Sequence, residues 1–246
     1  MRVLVLAGTG EARELAGLLA SGGVDVVLSL AGRTSTSAPL PGVQTRVGGF
    51  GGADGLAAYL AVERIDRVVD ATHPFAATIS GHAAEACRRA ATPLLVLQRP
   101  GWQAVAGDRW TRVPDLAAAA REVLVSPPGT VLLTTGRGDL GAFAGDDVHD
   151  FVVRTIEWPQ GPTPPYMTLL RDRGPFDEPD EIALMRAHGV GLLVTKDSGG
   201  AATAAKLTAA RRLAVPVLVV DRPPLPAETA VVADVDAALA WVRGAR

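Results

Sequence analysis

Short apolar runs alternate with alanine-rich stretches along the whole chain. The runs are rich in Val and Leu, which is typical of strands buried within a parallel sheet. In the first part of the chain they predict strands near residues 2–7, 24–30, 43–47, 66–71 and 93–98, with helices near 11–21, 53–64 and 75–90. Strands and helices that alternate in this way form parallel sheets covered by helices, so the fold class is predicted as α/β.

A second series of alternating elements follows a segment rich in Pro and Gly at residues 99–107. Its predicted strands lie near 130–135, 149–154, 190–195 and 216–220, and its predicted helices near 114–125, 178–188, 199–213 and 235–243. Pro- and Gly-rich segments commonly separate domains. We therefore predict one domain over residues 1–100 and a second over residues 101–246.

Composition restricts the classes of protein to which the chain can belong. The 246 residues carry a net charge of −2 with acidic and basic residues interspersed, which argues against a nucleic-acid surface. The apolar runs are far shorter than the roughly 20 residues of a membrane helix, so a cytoplasmic protein is predicted. The single Cys87 excludes an internal disulfide, and no spacing of Cys and His predicts a metal site.

The turn after the first strand has the sequence Gly8-Thr9-Gly10-Glu11. In dinucleotide-binding folds, glycines at this point let the backbone approach a pyrophosphate at the N-terminus of the following helix. Arg13 stands where a third glycine would complete that pattern. The turn therefore predicts nucleotide binding, and a tight strand-to-helix turn without a ligand is the alternative.

The end of the second strand favours NADPH over NADH. Ser29 lies near the end of this strand, and Arg33 follows where an NAD-binding protein has an Asp or Glu for the ribose hydroxyls. A guanidinium can instead bind a 2′-phosphate through two charge-assisted hydrogen bonds, although Arg33 could equally be a solvated loop residue. After the third strand, Gly49 and Phe50 lie in a glycine-rich turn where the backbone could pass close to the cofactor.

A second polar turn, Asp70-Ala71-Thr72-His73-Pro74, follows the fourth strand. Pro is favoured in the first turn of a helix, so Pro74 is predicted to begin one. Thr72 and His73 would then face the ligand, where His73 could orient the substrate or relay a proton. A structural cap is the alternative for His73.

The two lysines of the chain fall in one short stretch, residues 195–206. Lys196 ends a predicted buried strand, Ser198, Gly199 and Gly200 follow it, and Lys206 lies in the next predicted helix. The carboxyl edge of a parallel sheet is where such folds bind ligands. The stretch therefore predicts a site for carboxylates or phosphate, and a helix capped near Ser198 is the alternative.

With these segments in order, the chain resembles the precorrin-6A reductase family of cobalamin biosynthesis. The resemblance covers essentially the whole length and is carried by residues 8–13, 70–76 and 195–200. It implies two Rossmann-like domains with parallel sheets and an interdomain cleft, of which residues 1–100 bind NADPH and residues 101–246 bind the substrate. The implied reaction is reduction of the 18,19 double bond of precorrin-6A to precorrin-6B, or of its cobalt-bearing counterpart.

The implied substrate is a flat macrocycle rimmed with carboxylates, which Arg and Lys donors would bind. Such donors in the second domain are Arg137, Arg154, Arg171, Arg173, Lys196 and Lys206. The expected cofactor contacts are Gly8, Thr9, Gly10, Glu11, Arg13, Ser29, Arg33, Gly49, Phe50 and Thr72. The expected substrate contacts are Thr72, His73, Pro74, Arg137, Lys196, Ser198, Gly199, Gly200 and Lys206. The candidate proton donors are His73, Lys196, Tyr166 and water.

Two other functions compete with the reductase. One is a sensor module that binds NADP without turnover. The other is a methyltransferase that uses S-adenosylmethionine, for which an acidic residue is expected at the end of the second strand; Ser29 and Arg33 argue against it.

Overall fold

The computed structural model describes residues 1–32, 38–172 and 174–244. The chain divides into two units, the first comprising Met1–Pro100 with Pro224–Arg246 and the second Gly101–Pro223. Each unit contains one sheet of six strands, and every strand pair in both sheets is parallel. The α/β class with two parallel sheets is confirmed.

The elements follow one another along the chain as the apolar runs suggest. The strands are β1 (Arg2–Ala7), β2 (Asp25–Leu30), β3 (Val43–Val47), β4 (Arg67–Ala71), β5 (Leu94–Leu97), β6 (Trp110–Val113), β7 (Thr130–Leu133), β8 (Asp150–Thr155), β9 (Met167–Arg171), β10 (Val190–Lys196), β11 (Val217–Val220) and β12 (Ala230–Val232). The α-helices are α1 (Gly10–Ser21), α2 (Gly52–Val62), α3 (Ala77–Ala90), α4 (Leu116–Leu124), α5 (Glu178–Ala187), α6 (Ala205–Arg212) and α7 (Val235–Arg243). Two short 3-10 helices span Leu140–Phe143 and Ala201–Thr203.

The first sheet has the strand order β12-β5-β4-β1-β2-β3 and is covered on both faces. Along β1, side chains point alternately to the two faces because the strand period is two residues. Val3 and Val5 pack in one core cluster with α1 and α7, whereas Leu4 and Leu6 pack in the other with α2 and α3. Burial on both faces explains why β1 has no polar position between Val3 and Ala7.

The second sheet has the order β6-β11-β10-β7-β8-β9, which repeats the first sheet strand for strand. In this correspondence β7 takes the place of β1 and β10 takes the place of β4. One face of the sheet packs Leu132 and Leu193 against residues of α5 and α6. The two central strands of each sheet, β1 with β4 and β7 with β10, are therefore where ligand-binding turns are expected.

The two sheets exchange one edge strand each. The strand that follows β5 in the chain, β6, pairs with β11 in the second sheet, and the strand that follows β11, β12, pairs with β5 in the first. The predicted second domain, residues 101–246, therefore differs from the observed unit. Its last segment belongs to the first unit because β12 extends that sheet and Val235 and Val242 of α7 are buried in that core.

Three strands escape the sequence prediction, and two helices begin later than predicted. β6, β9 and β12 are short strands whose side chains are mostly exposed or half-buried, so they lack a continuous apolar run. α3 begins at Ala77 and not at Pro74, which lies in the preceding turn. The helix predicted over 199–213 divides into the 3-10 helix Ala201–Thr203 and α6.

We expect Val242→Ala to lower the free energy of unfolding by about 2 kcal/mol, because it removes buried methyl groups from the core of the first unit. Val231→Ala, at an exposed position of β12, is the matched control and should change stability by less than about 0.5 kcal/mol. Urea denaturation followed by circular dichroism measures both values. Equal losses for the two variants would mean that α7 does not stabilise this core.

Candidate functional site

In the first unit, the turns after β1 and β4 are in direct contact. Thr9 Oγ1 donates to the carbonyl oxygen of Ala71 at 2.9 Å. A Cβ atom added to Gly8 would lie 3.0 Å from the backbone nitrogen of His73 and 3.3 Å from Cα of Thr72. Any larger residue would push these backbone segments apart, so glycine at position 8 is required by the close approach of the two turns.

The N-terminus of α1 lies at this contact. Thr9 caps the helix, and its Oγ1 accepts from the backbone nitrogen of Ala12 at 3.2 Å. Arg99, just after β5, donates to Glu11 at 2.9–3.0 Å. Burial raises the pKa of Glu11, but a hydrogen bond to its own backbone and the Arg99 guanidinium outweigh burial and leave the pKa lowered. Glu11 is therefore paired with Arg99 within the protein. A residue that contacts the cofactor directly would be expected to lack such a partner.

Asp70 shapes the turn after β4. Its Oδ1 accepts from the backbone nitrogen of Thr72 at 3.0 Å and from Thr72 Oγ1 at 2.7 Å, which fixes the direction of that hydroxyl. Asp70 is buried, and its Oδ2 has no hydrogen-bond partner among the described residues. Burial, with a smaller contribution from the Asp70 charge, raises the pKa of the Cys87 thiol to about 12. Cys87 is therefore an inert, protonated thiol at neutral pH.

His73 occupies the same turn. Its carbonyl oxygen accepts from the backbone nitrogen of Ala76 at 2.7 Å, and its Nδ1 accepts from the backbone nitrogen of Phe75 at 3.3 Å. Because Nδ1 acts as an acceptor, the ring proton is assigned to Nε2. His73 thus combines a local turn-forming role with a ring nitrogen, Nε2, that can donate a hydrogen bond.

The carboxyl ends of β2 and β3 carry an arginine that the sequence analysis did not single out. Ser29 and Arg46 are direct register partners, and Nη1 of Arg46 donates to Ser29 Oγ at 3.3 Å. The Arg46 guanidinium also donates to the carbonyl oxygens of Gly48 and Gly49, both at 2.6 Å, and lies 3.7 Å from the centroid of the Phe50 ring. The structure therefore brings together Ser29, Gly49 and Phe50, with Arg46 as their common partner.

Of the two arginines predicted in the cofactor site, only Arg13 lies among the described residues. Arg13 donates from Nη2 to the carbonyl oxygen of Ala38 at 2.7 Å, so it braces the segment after β2. Arg33 lies outside the described residues, as does Arg173 in the second unit.

In the second unit, the turns after β7 and β10 meet in the equivalent way. Lys196 Nζ, at the end of β10, lies 2.5 Å from Oδ2 of Asp139, which follows β7. Arg137 in the same turn pairs with Glu157 beyond the end of β8. The predicted basic groups Lys196 and Arg137 therefore do lie at the carboxyl edge of this sheet, and each has a carboxylate partner there.

The buried carboxylate of Asp197 holds this edge in shape. Its Oδ1 accepts from the backbone nitrogen of Trp102 at 2.9 Å, and its Oδ2 accepts from Arg112 at 2.8 Å. Arg222 donates from Nε to the carbonyl oxygen of Asp197 at 2.8 Å. A Cβ atom added to Gly101 would lie 2.6 Å from Oδ2 of Asp197, so only glycine fits at position 101 beside this carboxylate. Asp197 is thus a structural member of the Lys196–Gly200 stretch.

Ser198, Gly199 and Gly200 form a turn and not the start of a helix. The backbone nitrogen of Ser198 donates to the carbonyl oxygen of Lys196 at 2.7 Å, and Oγ of Ser198 lies 3.4 Å from Oγ1 of Thr203. The first turn of α6 begins only at Ala205. An anion site at Ser198–Gly200 would therefore lie before the three-residue 3-10 helix Ala201–Thr203 and not at the N-terminus of an α-helix, where the sequence predicted it.

Lys206 is buried, contrary to its expected place among the substrate contacts. Only 5% of the residue is exposed; Nζ donates to the carbonyl oxygen of Thr203 at 2.8 Å and lies 4.9 Å from the centroid of the Trp102 ring. Burial lowers the pKa of Lys206 to about 7; the positive charge of Arg154 lowers it further and Glu181 opposes the shift. Lys206 therefore anchors the segment before α6 and is not available to a substrate.

Arg154 and Arg171, two further arginines among the predicted substrate donors, differ in how exposed they are. Arg154 is buried, pairs with Glu181 and lies 3.8 Å from the centroid of the Phe176 ring, so it is a core residue. Arg171, the last residue of β9, is exposed and lies 5.8 Å from the ring centroid of Trp158, which is 63% exposed. Of these two residues, only Arg171 is accessible to a ligand at the carboxyl edge.

Tyr166 lies at the opposite edge of the second sheet. It directly precedes β9, and its carbonyl oxygen accepts from the backbone nitrogen of Phe151 at the start of β8. In a parallel sheet the starts of strands lie at the amino edge, away from Lys196 at the end of β10. The structure therefore does not bring Tyr166 together with Lys196, and we remove it from the candidate proton donors.

Comparison with known proteins agrees with this geometry. The family model described as "Precorrin-6x reductase CbiJ/CobK" matches residues 2–243. The chain belongs to this family. A solved structure named "CobK precorrin-6A reductase" superposes with a TM-score of 0.91 at 42% identity, covering 100% of this chain and 97% of the other. The chain is therefore an oxidoreductase of the cobalamin-biosynthesis family.

Curated relatives of the precorrin-6x reductase family carry two different names. "Precorrin-6A reductase" from Rhodococcus erythropolis is 51% identical over 242 residues, which cover 98% of this chain and 97% of that protein. "Cobalt-precorrin-6A reductase" from Priestia megaterium is 30% identical over 234 residues, which cover 90% of each chain. A reductase family implies a nicotinamide cofactor and a small-molecule substrate. Among the described residues, no helix is long and apolar enough to cross a membrane.

We expect the stability of this precorrin-6x reductase to depend on pH through Lys206. Because folding lowers the Lys206 pKa from 10.5 to about 7, the unfolded chain binds more protons between these values and stability rises with pH there. Lys206→Met removes this dependence. Relative to wild type, the variant should therefore lose about 2 kcal/mol of unfolding free energy between pH 6 and pH 8.5, measured by urea denaturation.

Arg212→Met is the matched control, because Arg212 lies on the same helix, is exposed and stays charged throughout this range. Its stability difference from wild type should not change with pH. A constant difference for Lys206→Met as well would mean that the Lys206 pKa is not lowered.

Proposed function

We propose that this protein reduces the 18,19 double bond of precorrin-6A with NADPH, giving precorrin-6B. The observation that carries the proposal is the contact of the Gly8 turn with the Thr72–His73 turn between β1 and β4, in a chain of the precorrin-6x reductase family. Crevices at this point of an α/β sheet are where dinucleotides bind.

The residues at the first sheet edge fit a dinucleotide. The close packing at Gly8 and the N-terminus of α1 suit a pyrophosphate, since the first backbone N–H groups of a helix lack partners within it. Ser29, Gly49 and Phe50 lie at the ends of the neighbouring strands, where the adenosine part would be held. When bound, the reduced nicotinamide supplies a hydride to the substrate.

The second sheet edge suits a substrate with several carboxylates. Lys196, Arg137 and Arg171 lie at the carboxyl edge of this sheet and can donate to anionic oxygens. The turn of Ser198, Gly199 and Gly200 adds a hydroxyl and backbone donors beside Lys196. These groups support the assignment of the second unit to the macrocycle.

The reaction also consumes one proton, which must reach the carbon that does not receive the hydride. His73 is our candidate donor because its imidazole lies in this turn; protonated on both ring nitrogens, it would give one proton to that carbon and return to the neutral form in which Nδ1 accepts from Phe75. Thr72, whose hydroxyl is oriented by Asp70, would assist by holding the ligand beside His73.

The cobalt-free substrate is favoured over the cobalt-bearing one. The observation is the higher identity to the relative named as a precorrin-6A reductase, 51% against 30% for the relative named as a cobalt-precorrin-6A reductase. Both substrates share the carboxylate rim, so the residues at the sheet edges do not by themselves separate them.

The decisive experiment is anaerobic incubation of the protein with purified precorrin-6A and NADPH deuterated at the transferred position. We expect NADPH oxidation and a product that contains one deuterium from the cofactor and one hydrogen from water, detected by mass spectrometry. Turnover of cobalt-precorrin-6A alone would replace the substrate proposal. Turnover of neither, with NADPH still bound, would refute it.

We expect Lys196→Ala to raise the KM for the macrocycle about 10- to 100-fold, since it removes a charged donor from the substrate carboxylates. The dissociation constant of NADPH should hardly change. Arg109→Ala removes a cation next to the start of β6, at the amino edge, and serves as the control with unchanged KM. If Lys196→Ala weakens NADPH binding and leaves the KM of the macrocycle unchanged, Lys196 belongs to the cofactor site.

A further inference from the structure

The Arg46 guanidinium is held rigidly at the edge of the first sheet. Three of its N–H groups donate to the carbonyl oxygens of Gly48 and Gly49 and to Ser29 Oγ, and the Phe50 ring lies under it at 3.7 Å. A guanidinium has five N–H donors. The described residues therefore accept hydrogen bonds from three of the five N–H groups. The other two N–H groups of this planar, oriented guanidinium remain for a ligand.

Arg46 also differs in its charge environment from three other arginines of the first unit. Arg2, Arg89 and Arg99 each pair with a carboxylate. Within residues 1–32, 38–172 and 174–244, no carboxylate pairs with Arg46, whose partners are neutral oxygens and aromatic rings. A fixed positive charge without a counter-charge attracts an anion at this point of the surface.

The position of Arg46 specifies which anion that is. It lies one residue before the end of β3, opposite Ser29, which lies one residue before the end of β2. In a dinucleotide fold the adenosine ribose is bound beyond the end of the second strand. The group that would meet Arg46 is therefore the ribose of the cofactor, and in NADPH this ribose carries a phosphate.

We infer that Arg46 recognises the 2′-phosphate of NADPH, and that Phe50 and the Gly48–Gly49 carbonyls hold its guanidinium flat for that contact. The inference rests on the proposed function and deepens it by naming the residue that selects NADPH over NADH. The sequence analysis gave this role to Arg33, which lies outside the described residues. Arg46 was missed there because it is on β3, and only the register with β2 brings it to this point.

The test measures cofactor binding without any macrocycle. Isothermal titration calorimetry gives dissociation constants of NADPH, NADH, adenosine 2′,5′-bisphosphate and adenosine 5′-monophosphate for wild type, Arg46→Met and Arg46→Lys. We expect Arg46→Met to weaken the two ligands with a 2′-phosphate about 10- to 100-fold and to leave the other two nearly unchanged. Arg46→Lys keeps the charge but loses the planar fork, so its loss should be intermediate.

Arg67→Met is the matched control. Arg67 also lies over an aromatic ring, 4.9 Å from the centroid of Trp241, but it is the first residue of β4 and so lies at the amino edge. It should bind all four ligands as wild type does. Thermal unfolding of each variant identifies any loss caused by misfolding, and Arg46→Lys carries the test if Arg46→Met does not fold.

Two results would overturn the inference, and they are distinguishable. If wild type prefers NADPH and Arg46→Met keeps that preference, or loses affinity for all four ligands equally, Arg46 only braces the glycine turn and the proposed reaction stands. If wild type itself binds NADH as tightly as NADPH, the cofactor named in the proposed function fails together with the inference.

Discussion

The parallel direction of all strands within each sheet determines where polar residues of this chain can meet. Because every strand ends at the same edge, the turns that follow neighbouring strands come together there even when they are far apart in sequence. Thr9 and Ala71 are joined by a hydrogen bond for this reason, and so are Lys196 and Asp139 by an ion pair. The narrow space between the turns then requires glycine at position 8. The apolar interior of each sheet thus dictates the geometry of its polar edge.

Not every residue of a ligand-edge motif contacts a ligand. Asp197 follows Lys196 directly, yet its side chain is only 5% exposed and accepts hydrogen bonds from Trp102 and Arg112 in other parts of the second unit. A buried carboxylate is tolerated only when several donors satisfy it. Asp70 in the first unit likewise acts on its own turn, through Thr72. Charged residues in such motifs therefore divide into those that bind and those that hold the edge in shape.

The sequence predicted most strands from continuous apolar runs that are buried in the sheets, and it also predicted β3, whose side chains are exposed or half-buried. The strands β6, β9 and β12 were missed since their side chains are largely exposed or half-buried. The failure to predict β9 affected the expected role of Tyr166. Without a strand after it, Tyr166 was included among the candidate proton donors, whereas β9 begins one residue later and sets Tyr166 at the amino edge.

Other features of the site depend on contacts that a linear pattern does not contain. The burial of Lys206 depends on Trp102, which lies 104 residues earlier in the chain. The position of Arg46 depends on the register between β2 and β3. A systematic pairing of neighbouring parallel strands would have placed Arg46 opposite Ser29, but no pairing of strands could have shown that Lys206 is buried.

The charge environments of the two sheet edges imply different kinds of selectivity. Lys196 and Arg137 each already contact a carboxylate of the protein, so a single substrate carboxylate must displace Asp139 or Glu157 and gains little in net terms. A ligand with several carboxylates can replace several of these protein carboxylates at once. Each replacement gains little binding free energy, but the gains reinforce one another because every contact after the first forms within the bound complex. Arg46 has no carboxylate to exchange among the described residues, so one phosphate there retains its full interaction energy. In the proposed reaction, the second edge would therefore select a polyanionic ligand as a whole, whereas the first would discriminate by a single group.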